Sequence, residues 1–151
     1  MGLPRSRYVE EGVEGIYHCY SRCVRRAYLF GVDPVTGKDY SHRKAWIVER
    51  LKFLAGIFAI DVCAYAVEIN HCHELLRTRP DIAASWSDRE VACRWLQVCP
   101  RKPKSKKKPP IPIEVQINAL LASPGIIAEL RKRLCSLSWF MAELNEYIAR
   151  M

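Results

Sequence analysis

The spacing of apolar residues changes period several times along the chain, and each change marks an element. From 15 to 24, Gly-Ile-Tyr-His-Cys-Tyr-Ser-Arg-Cys-Val is rich in aromatic and β-prone residues behind a glycine and predicts a first strand. Residues 31–38 carry Asp33-Pro34 and Thr36-Gly37, breakers that predict a turn-rich loop. From Arg43 to about Ala59, Trp46, Ile47, Arg50, Leu51, Leu54 and Phe58 recur at helical spacing with basic residues between them. A helix is predicted there, with Ser41 placed to cap it and Gly56 weakening its end. Two strands, 61–67 and 71–77, follow across Glu68-Ile69-Asn70, a link short enough for a tight turn or bulge. Thr78-Arg79-Pro80-Asp81 ends the run. A further helix opens at Ser87-Asp88 and runs to about Val98, with Val91, Trp95 and Val98 on one face; Glu90 would complete a capping box with Ser87.

Residues 100–110 read as a linker, because their prolines forbid a helix and their six basic residues repel one another. Beyond it the pattern predicts a helix over 114–122, a Ser-Pro-Gly break, and helical sequence from Ile126 onward. The order strand, helix, strand, strand, helix and then a helical segment predicts an α+β domain, an antiparallel-leaning sheet with helices packed to one side. The expected organisation is an α+β domain over 1–99, a basic linker over 100–113, and C-terminal helices over 114–151 that belong to the same domain. Trp46, Trp95 and Trp139 occupy apolar helical positions and are assigned to the core.

Charge adds a partner. Lys and Arg total 24 against 16 acidic residues, giving +8, and a small basic domain commonly meets nucleic acid. The alternative is a soluble protein with one basic loop, since the linker alone carries +6. Lys102, Lys104, Lys106, Lys107 and Lys108 could track a phosphate backbone, but without interleaved aromatics they would not stack on bases. Arg22, Arg25, Arg26, Arg77 and Arg79 fall at strand ends and are candidates for shaping a DNA groove. The seven cysteines are odd in number and irregularly spaced, and residues 1–14 are polar and charged. Reduced thiols serving as small core residues in a cytoplasm are expected. The apolar runs fall short of the roughly 18 residues that a membrane span needs. The chain lacks a phosphate-cradling glycine-rich loop, which argues against ATP use.

The candidate chemistry lies in Asn70-His71-Cys72-His73. Two of the chain's four histidines stand at i and i+2 in a predicted strand and so share one face. Such a pair can hold a divalent ion with a third ligand from elsewhere; the plain alternative is two ordinary strand histidines. Cys72 points the other way, so a His/His site completed by oxygen, suited to Mg²⁺ or Mn²⁺, is more natural than a Cys/His zinc site. The same alternation turns Cys72, Glu74 and Leu76 toward the core, where a carboxylate is costly unless paired or exposed.

Three motifs in order resemble the single-tyrosine HUH transposases, most closely the REP-associated tyrosine transposases. The segment Ala64-Tyr-Ala-Val-Glu-Ile-Asn-His-Cys-His-Glu-Leu-Leu-Arg77 resembles the family's HUH segment, with Cys72 at its apolar position. Ile16-Tyr17-His18 with Arg22 resembles its first strand, and Leu137-Ser138-Trp139-Phe140-Met141 its Leu-Ser-x-x-Met helix. The resemblance runs from about Gly15 to the C-terminus and is weakest over 100–125. It implies a ferredoxin-like sheet, a homodimer, and DNA transposition, a form of DNA recombination by mobile elements. The implied chemistry is metal-dependent cleavage and rejoining of single-stranded or hairpin DNA through a 5′-phosphotyrosine link. His71 and His73 map onto the metal ligands, and Asn70 onto the family's asparagine, for which a turn role also suffices. Tyr147 maps near the nucleophile, one place before Ile148, which holds the family register.

The chain also departs from the family. Glu74 stands where relatives keep an apolar residue and Glu68 where they have Met. The sequence ends before the family's Gly-x-x-Trp-x-x-Arg and Asn-Pro-x-Arg-Ala segments and near its third ligand, for which Glu143 could substitute only by a change of geometry. These departures keep open a truncated, non-catalytic DNA-binding remnant. A small metal-binding protein unrelated to DNA is a third expectation.

Overall fold

The computed structural model describes residues 7–23, 28–103, 105 and 109–151. Among these residues, three strands form one antiparallel sheet: β1 (Ile16–Arg22), β2 (Ile60–Val67) and β3 (His71–Thr78), in the order β1-β3-β2. Six helices among the described residues complete the α+β fold: α1 (His42–Ile57), α2 (Pro80–Ser85), α3 (Asp88–Val98), α4 (Ile113–Leu121), α5 (Ile126–Arg133) and α6 (Leu137–Ala149). β3 lies in the middle, with helices against one face, as the expected ferredoxin-like arrangement requires. Cys72, Glu74, Leu76 and Thr78 are buried on that face, while His71, His73, Leu75 and Arg77 keep solvent access on the other.

The core joins the sheet to both groups of helices. Cys19, Cys72 and Leu76 meet Ile47, Leu51 and Leu54 of α1, Val91 and Leu96 of α3, Ile117 and Leu120 of α4, and Phe140, Met141 and Leu144 of α6. Phe58 packs edge-on against Phe140, with ring centroids 5.5 Å apart. The basic stretch is secured at both ends by the buried Gln116 amide. Its Oε1 accepts from the Arg101 backbone at 2.8 Å, and its Nε2 donates to the Ile111 carbonyl at 2.8 Å.

Several local expectations are revised. Ser41 is already helical and gives α1 no side-chain cap; instead Asp39 Oδ1 accepts from both its backbone N–H and its hydroxyl. At α3 the Ser87 hydroxyl does accept from the Glu90 N–H at 3.2 Å, while Glu90 turns its carboxylate to Arg94. β3 ends at Thr78 as the turn residues predict, and Pro80 then opens α2, because a proline in the first turn gives up an N–H that has no helical partner. The helical sequence after Ile126 breaks at Leu134–Ser136 into α5 and α6. Trp46 is 41% exposed and meets His42 edge-on, so it is not core; Trp95 is buried and packs edge-on with Trp139. The seven cysteines are free, with Cys19 and Cys72 buried but Cys63 exposed, so only part of the set serves as core. Among the described residues, no single helix is long and apolar enough to cross a membrane.

Candidate metal centre on the open face of the sheet

Register and alternation decide which side chains share the uncovered face. β1 pairs with β3 so that Tyr20 lies opposite His73 and Arg22 opposite His71. His18, Tyr20 and Arg22 are exposed there, and on the far side of β3 the small side chain of Ala66 stands opposite His73. His71 and His73 sit with ring centroids 5.0 Å apart, at 83° to one another. Tyr20 lies over both, at 5.5 Å from His71 and 5.1 Å from His73. His18 meets His73 end-on, with ring centroids 5.1 Å apart and planes within 13° of one another, and its Nε2 lies 2.9 Å from His73 Nδ1. Asn70 Oδ1 lies 2.8 Å from His71 Nδ1, so the asparagine orients this ring as well as completing the β2–β3 link.

The opposite face of β3 carries a different chemistry. Glu74 is fully buried, between Cys19 of β1 and Tyr65 of β2 in register. Neither of its carboxylate oxygens has a hydrogen-bond partner among the described residues. Burial therefore pushes its carboxyl up to about 7. Burial and the neighbouring Glu74 also push the Cys72 thiol up to about 12. Cys72 remains a protonated core thiol on the wrong side of the sheet, and it cannot share an ion with His71 and His73.

Other candidate residues are dispersed. Arg77 is held by Glu14, its Nε donating to Oε1 at 2.7 Å. Arg79 spans Asp61 at 3.1 Å and Asp81 at 2.8 Å, and it holds the Asp81 carboxyl down to about 2. Both arginines would have to leave carboxylates before gripping phosphate. Arg22 and Lys102 are exposed; Arg25, Arg26, Lys104, Lys106, Lys107 and Lys108 lie outside the described residues.

Tyr147 does not meet the histidines within one chain. Its ring lies 5.2 Å from the Arg50 guanidinium on α1, and Arg50 in turn pairs with Glu143 at 3.3 Å. α6 packs on α1, on the covered side of the sheet, whereas the imidazoles occupy the open side. Glu143 is likewise engaged away from His71 and His73. The residues that sequence reasoning left out of the site are His18 and Tyr20. Their signal was the alternation His18-x-Tyr20-x-Arg22, which puts all three on one face of β1, but pairing with β3 cannot be read from β1 alone.

Among the described residues, no three His, Cys, Asp or Glu side chains converge on one point as they stand. Two imidazoles nevertheless stand side by side on this face, one of them held by the Asn70 amide oxygen. No protein-family model, curated protein or solved structure matches this chain.

Proposed function

We propose that the open sheet face binds single-stranded or hairpin DNA and that the domain breaks and rejoins one strand with a divalent ion, Mg²⁺ or Mn²⁺, at His71 and His73. This is the activity of a DNA transposase. The observation that carries the reading is that His71 and His73 stand side by side on one face of the central strand, with Asn70 holding the first ring. The net charge of +8 supports a polyanionic substrate, and the three ordered sequence motifs support this class of reaction. A bound ion would draw charge from the scissile phosphate. Tyr20, over both rings, would pack beside the bound strand, and Arg22 would supply charge at its edge. The nucleophile is Tyr147: its phenolic oxygen bonds to phosphorus as the 3′ oxygen leaves and takes up a proton, so one phosphoester bond replaces another. Because Tyr147 and the imidazoles lie on opposite sides of the sheet, a second copy of the chain would supply the tyrosine, and the active species is a homodimer.

The same placement of Tyr147 on Arg50 favours a second reading, a DNA-binding domain without turnover. One experiment separates the two. End-labelled hairpin DNA is incubated with the protein and Mn²⁺, and covalent adducts are resolved on a denaturing gel. Cleavage predicts an adduct that Tyr147→Phe and His71→Ala each abolish and that mixing the two variants restores. DNA binding without adduct supports the second reading, and absence of DNA binding at low salt refutes both.

A further inference from the structure

We infer that the hairpin between β1 and α1 is a second docking surface for single-stranded DNA, on which one base stacks against Phe30 while Lys38 and Lys44 hold the phosphates beside it. The inference rests on the DNA-binding part of the reading above, and on neither its metal nor its nucleophile.

The hairpin is tied into the fold at a position that continues the open face. It closes through a bridge between Val32 and Asp39, with the Tyr40 N–H donating to the Gly31 carbonyl and the Asp33 N–H to the Lys38 carbonyl, each at 2.9 Å. Just before it, Leu29 is buried in the core, and its N–H donates to the Ile69 carbonyl of the β2–β3 link at 2.6 Å. Ile69 stands two residues before His71, which pairs with Arg22. The hairpin therefore adjoins the end of the sheet where His71 and Arg22 lie, so a strand leaving that face meets it next.

Its surface interleaves rings with cations. Tyr28 stacks on Tyr40 with ring centroids 6.0 Å apart. Lys38 and Arg43 lie over the Tyr40 ring at 5.3 and 4.4 Å, and Lys44 lies over the Phe30 ring at 5.0 Å. Arg43 serves as a fastener, since its Nη1 donates to the Tyr28 carbonyl at 2.8 Å. Phe30 remains 37% exposed, an open apolar surface with an ammonium at its edge. This is the combination that the lysine-rich stretch after α3 lacks: aromatic faces accept unpaired bases, and adjacent cations accept their phosphates.

The charges are uncommitted. Eight of the described arginines hold carboxylates in ion pairs, whereas Lys38 and Lys44 hold none among the described residues. The two carboxylates of the hairpin are turned to their own loop. Asp33 accepts from the Val35 N–H and the Thr36 hydroxyl, and Asp39 from the N–H and hydroxyl of Ser41. A phosphate therefore meets two ammonium groups without displacing a carboxylate. A duplex keeps its bases stacked on one another, so the exposed ring selects an unpaired strand.

The test measures binding of the full chain to labelled oligothymidylate and to an abasic oligodeoxynucleotide of equal length, by fluorescence anisotropy in EDTA. Phe30→Ala is expected to weaken oligothymidylate binding about tenfold, the effect of one stacked base, and to leave abasic binding unchanged. Phe30→Trp should retain wild-type affinity. Replacing Lys38 and Lys44 together with alanine should weaken binding to both strands and reduce the slope of log K against log salt by roughly 1.4, about 0.7 for each phosphate contact. These side chains are exposed, so circular dichroism of each variant should match wild type. The inference is overturned if Phe30→Ala binds oligothymidylate like wild type, if it weakens both strands alike, or if the lysine pair leaves the salt slope unchanged. Loss from both strands alike would mean a contact with charge alone, which any polyanion, an acidic protein included, could make. Phe30-dependent binding without a covalent adduct would sustain this inference while refuting the cleavage reading. An adduct formed by a chain whose affinity ignores Phe30 would do the reverse.

Discussion

Replacing Glu74 with leucine should stabilise the protein, and by an amount that grows with pH. The carboxyl is fully buried, both oxygens lack partners among the described residues, and burial lifts it from an ordinary 4.5 to about 7. Because its folded value exceeds its unfolded one, the native state holds the proton more tightly. Stability is therefore greatest below about pH 4.5, falls as pH rises toward 7, and levels off above that. At 1.36 kcal/mol per pH unit, the loss at pH 8 is about 3 kcal/mol. For a chain of this length that corresponds to roughly 6–12 °C in melting temperature. Urea unfolding of wild type, Glu74→Leu and Glu74→Gln at pH 5 and pH 8 measures the effect. The advantage of leucine over wild type should widen by about 2.5 kcal/mol between the two values. The glutamine variant, similar in shape but unable to ionise, should lose the same pH dependence. A difference between wild type and both variants that stays constant with pH would refute the reasoning, because it would mean that the carboxylate is not desolvated.

Two further outcomes test the framework that holds the site. Ser87→Ala removes the hydroxyl that accepts from Glu90 and should cost about 1 kcal/mol in chemical unfolding. Glu143→Ala leaves the largely buried Arg50 guanidinium without its carboxylate between α1 and α6, and should cost about 2 kcal/mol; adding Arg50→Met should recover most of that loss.

How far the fold was legible depends on how local its determinants are. The alternation in His71–Thr78 is a property of a few adjacent residues, and it correctly turned Glu74 inward and the histidines outward. The cap on α3 is equally local. Ser41 misled because two neighbouring polar residues compete for one helix start, and only the backbone conformation decides that Asp39 accepts and Ser41 donates. The break between α5 and α6 carries neither glycine nor proline and is set by tertiary packing: the Leu134 carbonyl accepts from Ala59 at the β2 edge. The site was half legible for the same reason. His71 and His73 announce themselves by spacing, but His18 joins them through a pairing between residues 55 positions apart. The opposite placement of Tyr147 follows from the packing of α6 on α1, which periodicity alone does not assign to one side of the sheet.

The strand order also governs how the cluster could come apart. β3 is hydrogen-bonded along both edges, so His71 and His73 can separate from the sheet only if two neighbours let go together. β1 pairs on one side alone among the described residues. Local fraying of that strand would carry His18 and Tyr20 away together and leave the β2–β3 hairpin intact. In hydrogen-exchange terms, such fraying would open the β1–β3 amide ladder while the β2–β3 ladder stays closed. Anything that bridges the two strands would slow the exchange of β1 first.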